Sequence, residues 1–317
     1  MDRGMVTMAT MRIIGLDCGR TELRGIVSDQ NGRIQSMVRI AAGLEKGVIQ
    51  YIRNIQSLVN TLMQPYDEID CVGVASSGRV DVQSGLVSYA TIPGYRDTDL
   101  RALVQAVLDI PVFVENSARA ALLGEHWLGA ARNTKNAVLL WLGQSVSGAT
   151  MIDGKIHQGS SCRAGEWGHM QIAREGDECV CGQRGCLDQF IGGKVLTEKM
   201  EQALGRSACP EEYLELYRSG NPAIHAIFEE FSDCLAQAVG NIERIEDPEL
   251  VLLGGPSSQW YELFWPLLRE RMESRRIQLP VKVAQLGADA GCLGAVYLGL
   301  ESLANIRQPL SPAHSQA

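Results

Sequence analysis

The sequence predicts an α/β protein built from two duplicated halves with a ligand cleft between them, and three observations point that way. A strand, a glycine turn and a second strand within residues 11–32 recur about 125 residues later over residues 137–152. Each copy is followed by apolar strands that alternate with helices of 3.6-residue period. The 317 residues, 45% hydrophobic and 21% charged, exceed what one core of about 250–300 residues usually holds and suit two.

In chain order, residues 11–32 read as a strand, a glycine turn, a strand of β-branched residues and a polar turn at Asp29-Gln30-Asn31-Gly32. Ile52, Ile55, Leu58, Val59 and Leu62 recur at three- and four-residue steps, so residues 48–64 read as a helix closed by Pro65. Residues 71–76 form a buried strand, 100–107 a short helix, and 111–115 a strand ending at Asn116-Ser117. That polar pair can cap the alanine-rich helix 118–128. The second hairpin has strands at 137–142 and 149–152 around a turn at 143–148. Residues 222–245 place Ile224, Ile227, Phe228, Phe231, Leu235, Ala238, Val239 and Ile242 on one face of a long amphipathic helix. A strand at 250–255 runs into Gly254-Gly255, another lies at 281–285, and 288–300 form the last helix. Residues 308–317, polar with two prolines, read as a disordered tail. The expected domains are 11–115 and 116–302, with the last helix packing back on the first.

Composition excludes several classes. With 29 Lys+Arg against 37 Asp+Glu, the net charge of -8 gives no counterion-release drive, so direct nucleic-acid binding is not expected. No apolar run reaches 18 residues and the first twelve lack a signal-like stretch, so a cytoplasmic protein without a membrane span is expected. Of nine cysteines, Cys18, Cys71 and Cys292 sit in apolar or glycine-rich stretches and read as reduced small hydrophobes.

His169, Cys179, Cys181 and Cys186 are different, because steps of ten, two and five positions bring three thiols and an imidazole into one glycine-containing knot. Three thiolates and one imidazole make a closed tetrahedral Zn²⁺ site. With no open position for water, such a metal is structural and organises the loop 165–188.

Gly165-Glu166-Trp167-Gly168-His169-Met170, followed by Cys179-x-Cys181-Gly-x-x-Gly-Cys186-Leu187-Asp188, resembles the signature of the ROK family of repressors, open reading frames and sugar kinases. The glycine hairpin at the N-terminus, Glu115-Asn116 at a strand end, Gly254-Gly255 and residues 289–295 extend the resemblance over residues 11–302. It implies a two-domain actin-like ATPase fold of the hexokinase type, ribonuclease H-like, with ATP/Mg²⁺ and a sugar in the cleft and the sugar hydroxyl attacking the γ-phosphate.

Four parts of that machinery can be compared by residue. The family's first phosphate loop, Asp-x-Gly-Gly-Thr, reads Asp17-Cys18-Gly19-Arg20-Thr21 here, with Asp17, Gly19 and Thr21 kept and the Arg20 side chain expected to crowd the phosphate or turn to solvent. The family's catalytic base, the Asp of Glu-Asn-Asp-Ala-Asn, is Ser117 in Glu115-Asn116-Ser117-Ala118-Arg119, and a missing base costs about 10²–10⁴-fold in rate. The second phosphate loop, roughly Gly-Thr-Gly-Ile-Gly-Gly-Gly in the family, runs from Gly143 through Gln144, Ser145, Val146, Ser147 and Gly148 to Ala149; left-handed backbone there would strain each added Cβ by about 1–2 kcal/mol. Gly254 and Gly255 match the adenosine contact.

On the sugar side, Asn116, Glu166 and His169 match positions that hydrogen-bond hydroxyls, and Asp188 stands where the family has a longer glutamate. Zinc claims one His169 nitrogen, which leaves the other for sugar. These comparisons lead to the expectation of a sugar-binding regulatory protein or pseudokinase, with an ATP-dependent hexose or N-acetylhexosamine kinase as the alternative. A homodimer is expected by resemblance. Family repressors carry a helix-turn-helix arm, and only sixteen residues precede Asp17, so direct operator binding is not expected.

Overall fold

The computed structural model describes residues 10–307, so the expected tail at 308–317 lies outside the described residues. The chain divides into two compact units, residues up to Trp127 together with those from Asp289 onward, and Leu128–Ala288.

The first unit runs β1 (Ile13–Cys18), β2 (Glu22–Ser28), β3 (Ile34–Ala41), α1 (Val48–Met63), β4 (Cys71–Ser76), β5 (Arg79–Asp81), β6 (Leu86–Tyr89), β7 (Thr98–Asp99), α2 (Leu100–Gln105), β8 (Val112–Asn116) and α3 (Ser117–Leu128). The second runs β9 (Ala137–Leu142), β10 (Val146–Ile152), β11 (Lys155–Ile156), α4 (Asp188–Ile191), α5 (Gly193–Leu204), α6 (Pro210–Arg218), α7 (Pro222–Ile245), β12 (Leu250–Gly254), α8 (Tyr261–Ser274) and β13 (Val281–Val283). The chain then returns to the first unit as α9 (Ala290–Arg307).

The two main sheets have equivalent orders, β3-β2-β1-β4-β8 and β11-β10-β9-β12-β13. In each, the first three strands pair antiparallel and the last three parallel. The expected duplication is therefore visible strand by strand. Central β1 and β4 are apolar on both faces because helices cover them, whereas edge strand β3 alternates between partly and fully exposed positions.

In the first unit, α1 turns Tyr51, Ile55, Leu58, Val59 and Leu62 inward, the stripe its period requires. Helix α9 lies on β1 and β4 so closely that a Cβ on Gly73 would stand 1.8 Å from the Ala295 carbonyl oxygen. In the second unit, Phe228, Phe231 and Leu235 of α7 pack with Leu140 and Leu142 of β9, Val251 of β12 and Phe264 of α8.

Several elements depart from expectation. Helix α3 groups with the first unit, one helix beyond the 115/116 boundary. Asn116 alone caps α3, accepting from Ala118 N (2.9 Å) and Arg119 N (3.3 Å), while Ser117 is its first residue. The small sheet β5-β6-β7 and helices α5, α6 and α8 were not foreseen. Strand β10 starts at Val146, so Ser147 and Gly148 belong to the strand rather than the turn.

Candidate functional site

In the first unit, parallel register aligns Cys18 of β1, Ser76 of β4 and Asn116 of β8, so the carboxyl ends of three strands finish together. This edge is where α/β sheets bind ligands. It gathers Asp17 near the end of β1, and Gly19 and Thr21 on the loop after it, with Asn116 and Ser117 at the head of α3.

Asp17 is half-buried, and desolvation pushes its carboxyl up from 3.8 to about 6, with Glu22 adding to the shift and Arg24 and the Ser117 hydroxyl opposing it. It rests on the first turn of α9, where a Cβ on Gly291 would stand 2.7 Å from its Oδ2. Ser117 Oγ is sealed from solvent and finds no partner of ordinary hydrogen-bond geometry, though it lies near enough to Asp17 to favour the ionised carboxyl.

Beneath the loop, Tyr51 OH donates to the Cys18 carbonyl (2.9 Å), and Tyr95 OH and Ser76 Oγ lie 3.0 Å apart. The two rings meet edge to face at 5.2 Å, which fixes the loop's base. Arg20 does not point free into solvent, one of the two outcomes expected of it: its Nη1 donates to Thr91 Oγ1 at 2.6 Å. Asn116 is largely engaged by protein, since Oδ1 caps α3 and Nδ2 donates to the Gly78 carbonyl at 2.8 Å. Glu115 and Arg119 form a buried pair at 3.4 Å.

In the second unit, none of residues 143–149 has left-handed backbone, so Ser145 and Ser147 carry none of the strain considered above. Three hydrogen bonds clamp this segment instead. Gly193 N donates to Gly143 O (2.9 Å), Lys194 N to Gln144 O (3.0 Å), and Val146 N to Asp188 Oδ1 (2.5 Å). Asp188 is buried, which raises its pKa, while the Val146 N–H and the nearby His169 lower it. One of its oxygens is thus committed to holding the loop.

Glu166 is exposed at the cap of a 3₁₀ turn, Trp167–His169, and its side chain makes no hydrogen bond or ion pair among the described residues. Trp167 Nε1 anchors that turn to Thr150 Oγ1 at 3.2 Å. His169 presents Nδ1 to Cys179 Sγ at 3.3 Å, which leaves Nε2 on the other side of the ring.

The ligand atoms of His169, Cys179, Cys181 and Cys186 lie within 4.8 Å of one another, with the Cys181 and Cys186 sulfurs 3.6 Å apart. Zn–S bonds of about 2.3 Å in a tetrahedron place sulfurs about 3.8 Å apart, so these residues fit zinc. Burial pushes the Cys186 thiol up to about 12 and raises Cys179. A coordinated metal deprotonates such thiols.

Gly254 ends β12, and Gly255, at φ 88°, turns the chain against the Leu142 backbone. Beside them lies Trp141, a residue that sequence reasoning missed: a Cβ on Gly254 would touch its ring at 2.9 Å. Arg79 and Thr91 were missed too. A signal for Arg79 was its place directly after Gly78 at the end of the strand at 71–76.

The ROK family model matches residues 13–302. A glucokinase of Thermotoga maritima is 29% identical, over 92% of this chain and 98% of that protein. A xylose repressor of Caldicellulosiruptor bescii is 26% identical, over 92% of this chain and 78% of its own length. The crystal structure of a glucokinase from Streptomyces griseus in complex with glucose and AMPPNP aligns with a TM-score of 0.79 at 27% identity, covering 90% of this chain and 98% of that one. Among the described residues no helix is long and apolar enough to cross a membrane.

Proposed function

The chain belongs to the ROK family, and on that premise we propose that it is a sugar-binding member with lost or very weak phosphoryl transfer, serving a regulatory role on an actin-like ATPase fold. The observation that carries this reading is the head of α3, where the residue that the resemblance matches to the general base is Ser117, a hydroxyl in place of a carboxylate. A serine near its ordinary pKa does not take the proton of an attacking sugar hydroxyl, and loss of a base costs about 10²–10⁴-fold.

In this reading the candidate sugar-binding groups are the remaining Asn116 N–H in the first unit and, in the second, Glu166, His169 Nε2 and Asp188 Oδ2, which also accepts from Gln189 Nε2 at 3.5 Å. Zinc on His169, Cys179, Cys181 and Cys186 holds the loop that carries three of them. ATP with Mg²⁺, when bound, would supply the transferable phosphoryl group, with Asp17, Gly19, Thr21, Gly143, Gly254 and Gly255 as its contacts. The net charge of -8 argues against a direct action on DNA.

One observation favours the alternative, an active ATP-dependent hexose or N-acetylhexosamine kinase. Asp17, a carboxylate raised to about 6 and lying beside Ser117, could receive the sugar proton in place of the missing base. A coupled ADP-release assay over neutral hexoses and N-acetylhexosamines separates the two. Turnover of about 1 s⁻¹ or faster, ordinary for an enzyme, refutes the regulatory reading. Background turnover that stays low in wild type and rises only when Ser117→Asp is combined with Arg20→Gly, Gln144→Thr, Ser145→Gly and Ser147→Gly supports it.

A further inference from the structure

We propose that the ligand of this chain is an anionic sugar, one that carries a carboxylate or a phosphate, and that Arg79 and Arg20 receive its charge. The inference rests on the sugar-binding reading above and names the substrate class of that site.

Arg79 opens β5 directly after Gly78, the residue whose carbonyl Asn116 holds at 2.8 Å. Its guanidinium lies 5.5 Å over the Tyr89 ring, which fixes its orientation. It is half-buried, its Nε is sealed from solvent, and its guanidinium forms no hydrogen bond or ion pair with any described residue. Elsewhere in the unit, buried Arg119 pairs with Glu115, and Arg101 donates to the carbonyls of Val82 and Gln83. A guanidinium whose Nε–H is sealed from water and left without an acceptor carries a cost that an anionic ligand can offset.

Arg20 reaches the same segment from the β1–β2 loop. Its Nη1 bonds Thr91, two residues past Tyr89, and it has no acidic partner among the described residues. Two uncompensated cations therefore flank residues 89–91. Of the acids at this strand edge, Glu22 pairs with Arg24 and Glu115 with Arg119, while Asp17 forms no ion pair with Arg20 or Arg79 among the described residues.

Charge at this edge moves one way relative to the pattern the resemblance implies, since Arg20 replaces a glycine and Ser117 replaces an aspartate. Hydroxyls of a neutral sugar cannot neutralise two guanidinium groups. A carboxylate or phosphate can, through short paired N–H···O bonds.

Calorimetry with glucose and N-acetylglucosamine against glucuronate and glucose 6-phosphate tests this, on the whole chain at low and moderate salt. At least one anionic sugar should bind about tenfold or more tightly than its neutral parent, the range of charged hydrogen bonds. Arg79→Gln should cost about tenfold or more for the anionic sugar and leave neutral sugars unchanged, while Arg79→Lys keeps part of the affinity. Exposed Arg20→Gly gives a second variant whose fold is not at risk, and it should weaken anionic sugars in the same direction. Neutral sugars binding as tightly as anionic ones, or anionic binding that survives both Arg79→Gln and Arg20→Gly, overturns the inference and leaves the sugar-binding reading standing. Failure of all four sugars overturns both.

Discussion

Replacing Asp17 by Asn should stabilise the protein at neutral pH, because a functional strand edge holds this carboxyl against its solvation. Burial raises it from 3.8 to about 6, a shift of about two units, or about 3 kcal/mol of penalty on the ionised form, less what its partial exposure screens. The unfolded chain gives up this proton near pH 3.8 and the folded chain near 6. Stability from this group is therefore highest below about pH 4, falls between pH 4 and 6, and stays low above 6. The neutral, nearly isosteric amide removes the penalty. Asp17→Asn should gain up to about 3 kcal/mol at pH 7.5, less at pH 6, and almost nothing at pH 4. Urea unfolding of wild type and variant, followed by circular dichroism at the three pH values, reads the difference. A variant that is less stable at pH 7.5, or a gain that does not change with pH, would refute the reasoning. A carboxyl kept at such cost is the kind of residue function retains against stability.

Fresh protein should contain one Zn²⁺ per chain by elemental analysis, and Cys186→Ala should lose both the metal and part of the thermal stability, since structural zinc contributes folding free energy. Asp188→Ala removes the buried acceptor of Val146 N–H, which should cost about 1–3 kcal/mol and speed amide hydrogen exchange at Val146 while α1 in the other unit stays protected. Gly73→Ala drives a Cβ into the Ala295 carbonyl at 1.8 Å and should lower stability by about 1–3 kcal/mol or more, read as a fall in Tm.

What could be read in the sequence was local. The metal quartet spans eighteen positions and shows itself by spacing, and the 24 residues of α7 bury one stripe throughout. The repeated hairpins were legible because both glycine turns interrupt β-branched strands. The small sheet was not, since β5, β6 and β7 are too short to show a two-residue period. Helix α8 was hidden by Pro266 in its interior. Site residues whose partners are remote were the least legible. Arg20 meets Thr91 across 71 positions and Asp188 meets Val146 across 42, and neither contact leaves a trace in local pattern.

The positions where glycine is kept and lost separate folding from chemistry. Ser147 sits in strand β10 opposite Trp141, Ser145 has ordinary backbone, and Ser117 is the first residue of a helix that Asn116 already caps. None of these three residues places left-handed backbone or a strained contact on the fold. The kept glycines stand where a Cβ collides with protein. One on Gly19 would meet the Glu22 carbonyl at 2.7 Å, one on Gly254 the Trp141 ring at 2.9 Å, and one on Gly255 the Leu142 backbone at 2.8 Å. Packing alone therefore retains Gly19, Gly254 and Gly255, and their presence gives no weight to nucleotide binding.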